Sequence, residues 1–95
     1  MSEDNIEDRL NMILSSKGLI RVLSTLSERG ELDITALSRL TGLNHENTHK
    51  HLKTLLKLNL IREKRYGSIR IFETSFNSLN FNFQRGSAIT VELGE

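Results

Sequence analysis

The chain has 95 residues, 37% of them hydrophobic and 26% charged, with a formal net charge of +1 and no cysteine. That suffices for one small domain, which buries only ~60–70% of its unfolded surface, so a second copy is a natural source of added stability. Disulfides and thiolate metal sites are excluded, no apolar run reaches the roughly eighteen residues of a membrane span, and the acidic start (Glu3, Asp4, Glu7, Asp8) is unlike a signal peptide, which makes the cytoplasm the default expectation.

Ile6, Leu10, Ile13 and Leu14 recur at i, i+4, i+7 and i+8, the spacing of one helix face. Asp4 and Glu7 fit a capping box at its start. Ser15-Ser16 can cap a second helix carrying Leu19, Ile20, Val22, Leu23 and Leu26, with Gly30 as its stop. The two segments could also run as one bent helix. Gly18 falls in a first turn, where glycine costs least. Asp33 is the next N-cap, with Leu32 and Leu37 placed for a hydrophobic staple. This helix is expected to bury Leu37 and Leu40 and to end at Gly42, a natural left-handed position. Asn44 then caps a helix with Thr48, Leu52, Leu55 and Leu56 inside. Glu46, Asn47, His49, Lys50, Lys53 and Lys57 lie outside. Asn59 is suited to a left-handed C-cap.

Leu60 to Phe72 reads as a hairpin turning at Tyr66-Gly67. A two-residue loop would set Glu63 opposite Arg70. A three-residue loop would set Ile61 opposite Ile71, and is preferred because it sorts apolar side chains better onto one face. In the tail, Leu79, Phe81 and Phe83 alternate with asparagines. Ile89, Val91 and Leu93 alternate with Thr90 and Glu92 across a glycine turn. This second hairpin has an apolar row that needs cover, either as a lid on the core or as a contact between two copies.

Charge is unevenly spread. Residues 1–38 carry four basic and seven acidic side chains, residues 39–70 eight and two, and residues 71–95 one and three. Positive charge therefore gathers on the helix–turn–helix segment and the hairpin behind it. That is the footprint of a surface that meets phosphates.

The stretch LTGLNHENTHKHLKTLLKLNLI (residues 40–61) resembles the helix-turn-helix of the winged-helix superfamily, in particular small archaeal regulators related to the ArsR and MarR families. The matching residues are Leu43-Asn44, the His51-Leu52 pair, and Leu55 with Asn59-Leu60. The likeness covers residues 16–73 and is clearest between 32 and 72. Asn59 stands where glycine is common, and Thr48 where an aliphatic residue is usual. The final hairpin replaces a C-terminal helix that often makes the dimer.

The resemblance implies an α+β winged helix-turn-helix: three to four helices and a β-hairpin wing, here with an additional C-terminal hairpin. The whole chain, 1–95, would be a single DNA-binding domain. Residues 1–15 would be an N-terminal helix, 16–73 the winged-helix core and 74–95 the hairpin extension. Base-reading positions fall on His45, Glu46, Asn47, His49 and Lys50. Their chemistry fits: Asn can grip adenine, Glu can accept from cytosine and Lys can donate to guanine. Lys53 suits a phosphate, and Arg65, Tyr66 and Arg70 of the wing can reach phosphates or the minor groove.

His45-Glu46-Asn47-Thr48-His49 also spells the H-E-x-x-H pattern of zinc peptidases. That reading is rejected. A catalytic zinc needs a third protein ligand and a substrate cleft, and Lys50 would set a cation beside the metal. No catalytic set, metal or cofactor is expected, so the chain is read as a non-enzyme. The expected function is sequence-specific binding of double-stranded DNA in transcription regulation, in the cytoplasm with the nucleoid and without membrane contact. The alternative is a protein-interaction module on the same fold. A homodimer is expected, held by Ile6, Leu10 and Ile13 or by Phe81, Phe83, Ile89 and Val91. The first group is favoured because helix pairing demands less exact register.

Overall fold

Each described helix begins at a side chain that accepts one of its free N–H groups. The structure, a computed structural model, describes residues 16–86 and 90–94. The expected first helix with Ile6, Leu10, Ile13 and Leu14, its Asp4–Glu7 cap, and Ile89 lie outside the described residues. Helix α1 (Lys17–Arg29) starts at Ser16, whose hydroxyl accepts from the Leu19 N–H at 3.1 Å. Ser16 is itself extended (φ −125°, ψ 111°), so no continuous helix passes through it into α1. Helix α2 (Ile34–Thr41) starts at Asp33, which accepts from the Ala36 N–H at 2.8 Å. Helix α3 (His45–Lys57) starts at Asn44, which accepts from the Asn47 N–H at 2.7 Å. Replacing such a cap by Ala costs about 1 kcal/mol, so these three residues fix both the length and the entry angle of the helices.

Gly42 takes the left-handed conformation (φ 76°) that turns the chain from α2 towards α3. Asn59 does the same after α3, at φ 62°. Its N–H donates to the Leu56 carbonyl, and the Leu60 N–H donates to the Leu55 carbonyl, both at 3.0 Å. This paired closure is the Schellman arrangement.

The three helices close around one core. It contains Leu19, Val22, Leu23 and Leu26 of α1, Leu37 of α2, and Leu52 and Leu55 of α3, completed by Leu58, Leu60, Ile61, Phe72 and Phe76. Leu40 departs from expectation. It is 40% exposed, because α2 has only two turns and Leu37 with Thr41 already fills its inner side. Thr48, at 0% exposed, is a polar member of the core.

Strands β1 (Ile61–Tyr66) and β2 (Ile69–Thr74) form an antiparallel hairpin. Neither register read from the sequence is present. Tyr66 pairs with Ile69 and Ile61 with Thr74, around a two-residue loop at Gly67-Ser68. The short loop occurs, one residue later than expected. Gly67 then occupies the first loop position with φ 66°, which a tight hairpin favours for glycine. The three-residue loop would have set Ile61 and Phe72 on opposite faces. In the observed register both are buried on the same face, while Ile69 and Ile71 turn outward. Leu32 bridges the free edge of β2, exchanging two backbone hydrogen bonds with Phe72 at 3.1 and 2.9 Å.

Strands β3 (Ser78–Asn82) and β4 (Thr90–Gly94) make the second hairpin. Phe81 lies opposite Val91 and Leu79 opposite Leu93, so the alternating residues share a face as expected. Leu79 and Phe81 pack against the core. Between this hairpin and α1 runs an open apolar groove of about 270 Å³, lined mainly by Ile20, Leu23, Phe76, Leu79 and Phe81. Among the described residues no helix is long and apolar enough to cross a membrane. Among the described residues, three helices, a hairpin wing and a further hairpin make an α+β winged helix-turn-helix.

Candidate nucleic-acid interface

The amphipathic pattern of α3 divides its side chains cleanly. Thr48, Leu52 and Leu55 are buried, while His45, Glu46, Asn47, His49, Lys50, Lys53 and Lys57 are all exposed. At roughly 100° per residue, Glu46, Lys50, Lys53 and Lys57 form a stripe directly opposite the buried row. Asn47 flanks this stripe on one side; His45 and His49 flank it on the other. All the helix positions singled out from sequence are thus on the solvent side.

Thr48 explains how α3 is held against α2. Its hydroxyl donates to the Asn44 carbonyl at 2.8 Å and accepts from the Ser38 hydroxyl of α2 at 3.0 Å. An aliphatic residue here would pack but could not make this polar link between the two helices. Thr41 stabilises the turn. Its hydroxyl donates to the Leu37 carbonyl at 2.6 Å and accepts from the Leu43 N–H at 3.3 Å. Arg21 of α1 donates to the Thr41 carbonyl at 3.0 Å. The turn between the two helices is therefore bonded to the rest of the fold.

His51 belongs to the packing and not to the outer stripe. It is half-buried, and its ring lies so close to α1 that a Cβ built on Gly18 would fall 2.5 Å from His51 Nε2. Any side chain at position 18 would therefore force the His51 ring to move. Burial, and secondly the neighbouring Lys50 charge, push the His51 imidazole below 6.5.

The wing differs from the helix in its charges. Arg65 and Tyr66 are exposed near its tip, as a contacting role needs. Arg70 instead lies against Glu63, with Nε at 2.6 Å from Oε2 and Nη2 at 3.1 Å from Oε1. Its guanidinium also sits over the Phe72 ring, 5.4 Å from the centroid. Arg65 Nε is 3.6 Å from the same carboxylate. On the other face of the hairpin, Glu73 meets Arg62 at 2.7 Å and Lys64 at 3.3 Å, and Lys64 also meets Glu31 at 2.6 Å. The Arg70 hydrogen bond holds the Glu63 carboxyl below the usual carboxylate range, and the Arg62 hydrogen bond does the same for Glu73. All four basic side chains of the wing thus have a carboxylate partner. None of the ion pairs among the described residues involves Lys50, Lys53 or Lys57.

Glu31 and Glu73 were not singled out from sequence, and Glu63 entered only as the residue opposite Arg70 in one of the two hairpin registers. In the observed register Glu63 is a diagonal neighbour of Arg70 and Glu73 lies directly opposite Arg62, so the hairpin pairing could have signalled both; Glu31 comes from a distant loop. His45 and His49 flank the stripe on the same side, as their spacing requires. Among the described residues no cluster of three or more His, Asp or Glu could hold a metal ion.

No protein-family model matches the sequence, and no curated protein matches it. Solved structures do match. One is a solution structure of the homodimeric winged helix-turn-helix DNA-binding domain of a possible ArsR-family transcriptional regulator from Mycobacterium bovis. It aligns with a TM-score of 0.63 and 22% identity, over 72% of this chain and 62% of that one. Another is a crystal structure of a possible transcriptional regulatory protein fragment from the same organism, with TM-score 0.63 and 22% identity over 72% of each chain. The chain therefore spans about three-fifths of the first of these. At this identity the likeness establishes the winged helix-turn-helix fold.

Proposed function

We propose that this protein binds double-stranded DNA sequence-specifically as a transcriptional regulator, with α3 in the major groove and the β1–β2 hairpin as a wing. The outer face of α3 carries this reading. Lys50, Lys53 and Lys57 stand exposed beside Asn47, with no ion-pair partner among the described residues. In this reading Asn47, His45, Glu46, His49 and Lys50 would read base edges, and Lys53 would hold a phosphate. The chemistry is binding, without catalysis or a cofactor, and its site of action is the nucleoid in the cytoplasm.

One winged helix reads only a few base pairs. A homodimer would read two half-sites about 34 Å apart. The homodimeric state of the Mycobacterium bovis domain supports this arrangement. So does exposed apolar surface on the described residues: Ile20 at 39%, Phe83 at 64% and Leu93 at 52%. The apolar row of Ile6, Leu10 and Ile13 is a further candidate for the contact, alongside Phe81, Ile89 and Val91.

Selection of duplexes from a random pool tests the reading and should enrich a palindrome. Binding should weaken steeply with salt as phosphate counterions are released. Lys53→Ala should weaken all sequences alike. Asn47→Ala should relax preference at one base pair, at a cost of about 1–3 kcal/mol. A flat salt titration overturns the reading.

A further inference from the structure

Resting on the DNA-binding reading, we propose that Glu63 sets the affinity of the wing: its carboxylate occupies the Arg70 and Arg65 guanidinium groups in place of a DNA phosphate. The wing arginines then reach DNA only by exchanging one anion for another.

The geometry is that of a phosphate contact already filled. Arg70 presents two N–H groups to the two Glu63 oxygens, at 2.6 and 3.1 Å. This is the fork by which a guanidinium grips either a carboxylate or a phosphate. The Phe72 ring lies under the guanidinium, 5.4 Å from ring centroid to Cζ, and adds a cation–π contact. Arg65 is held more loosely, at 3.6 Å, and its side chain is 67% exposed against 22% for Glu63. Two cations thus share one anion, and Arg65 is the one free to swing away.

Glu63 also lies on the face where a phosphate would compete. In the observed register Ile61, Glu63 and Arg65 alternate along β1 on one face, opposite Thr74, Phe72 and Arg70. Ile61 and Phe72 are buried against the helices. Glu63, Arg65 and Arg70 continue that same face outward, beyond the core and towards the tip. Glu63 remains ionised throughout the neutral range because Arg70 favours its charged form. The competitor is therefore always present, and it lowers the number of phosphates the wing neutralises.

Glu63→Gln keeps the shape and one acceptor oxygen but removes the charge. The probe is a fluorescein-labelled mixed-sequence duplex of about two helical turns, titrated with the full chain over a range of salt. Taking away one negative charge about 6 Å from a phosphate, in a water-like dielectric, should tighten binding about threefold to tenfold. The slope of log affinity against log salt should steepen by about one phosphate contact. Glu92→Gln on β4 makes the same change in net charge away from the wing, and should change affinity less than about twofold, since the field is screened within about 8–10 Å. Glu63→Gln should give no gain in a background that also carries Arg65→Gln and Arg70→Gln, where no wing guanidinium is left to release. Equal thermal melts of Glu63→Gln and wild type show that the fold is retained. Should that variant melt early, the titrations are run at a temperature where both proteins are folded, which keeps the electrostatic readout. If wild type binds duplex but Glu63→Gln binds no better, with an unchanged slope, Glu63 is only a strut and the proposal falls alone. The same follows if Glu92→Gln gives an equal gain, or if Glu63→Gln still tightens binding when Arg65→Gln and Arg70→Gln are both present. If none of these proteins binds duplex, the DNA reading itself falls and the proposal with it.

Discussion

Thr48→Val isolates the polar link that sets α3 against α2. The substitution keeps the volume and removes one hydroxyl from a side chain that is 0% exposed. That hydroxyl donates to the Asn44 carbonyl and accepts from the Ser38 hydroxyl. The Asn44 carbonyl keeps a partner, because the Thr48 backbone N–H already donates to it at 3.0 Å. Ser38 is half-buried and its hydroxyl can turn to water. No group is therefore left buried without a partner. The loss is one to two net hydrogen bonds, about 0.5–1.5 kcal/mol each. A methyl in place of the hydroxyl returns about 0.8 kcal/mol. The net cost should be about 1 kcal/mol, which in a domain of this size lowers Tm by about 4–8 °C. Thr48→Ala should cost more, since it also opens a cavity. Calorimetry of Thr48→Val, Ser38→Ala and the double variant gives the coupling. We expect about 0.5–1 kcal/mol between the two sites. Additive effects, or a higher Tm for Thr48→Val, would refute the assigned role of the hydroxyl.

His51 should make stability depend on pH. Its folded value lies below 6.5, first through burial and then through Lys50, so the unfolded chain binds more protons between the two values. The stabilisation is complete above about 6.5 and declines as pH falls from there towards the folded value. Melting curves across this window should show a slope that His51→Gln reduces; an unchanged slope sinks the assignment. Gly18→Ala should destabilise in urea titrations despite a helix propensity gain of up to about 1 kcal/mol, because the new Cβ meets His51. Adding His51→Ala should restore the gain. At Asn59, with φ 62°, Ala should cost about 1 kcal/mol while Gly leaves Tm unchanged or higher; equal melts for the Ala and Gly variants would show that the left-handed turn carries no strain.

The features most legible in sequence are those decided within a few residues. A Ser, Asp or Asn ahead of an apolar periodic run needs only the next three N–H groups to become a cap. Ser16, Asp33 and Asn44 do so as expected. The left-handed turns at Gly42 and Asn59 are local in the same sense. The hairpin register was not legible, because tertiary packing chooses it. Burial of Phe72 beside Ile61 and the bridge from Leu32 outweigh the gain from pairing Ile61 with Ile71. Leu40 fails for a related reason: in a two-turn helix, Leu37 and Thr41 leave no inner position for it. The role of Thr48 needed Ser38, which is adjacent only once two helices pack.

The same division separates the two halves of the candidate interface. Residues 39–70 hold eight basic and two acidic side chains, a count that credits helix and wing alike. In the folded chain the wing cations share Glu63, Glu73 and Glu31, the last joined to Lys64 from 33 residues away. A count along the sequence treats each charge as available; an ion pair leaves mainly a dipole, whose field fades faster with distance. The α3 lysines have no such partner among the described residues. The positive potential a duplex would first meet is therefore centred on α3. A wing built this way adds less to long-range attraction than its four cations suggest, and acts mainly at contact range, where a phosphate is close enough to displace a carboxylate. Binding would then be led by the helix that carries Asn47 and Lys50, with the wing engaging once that helix has found its groove.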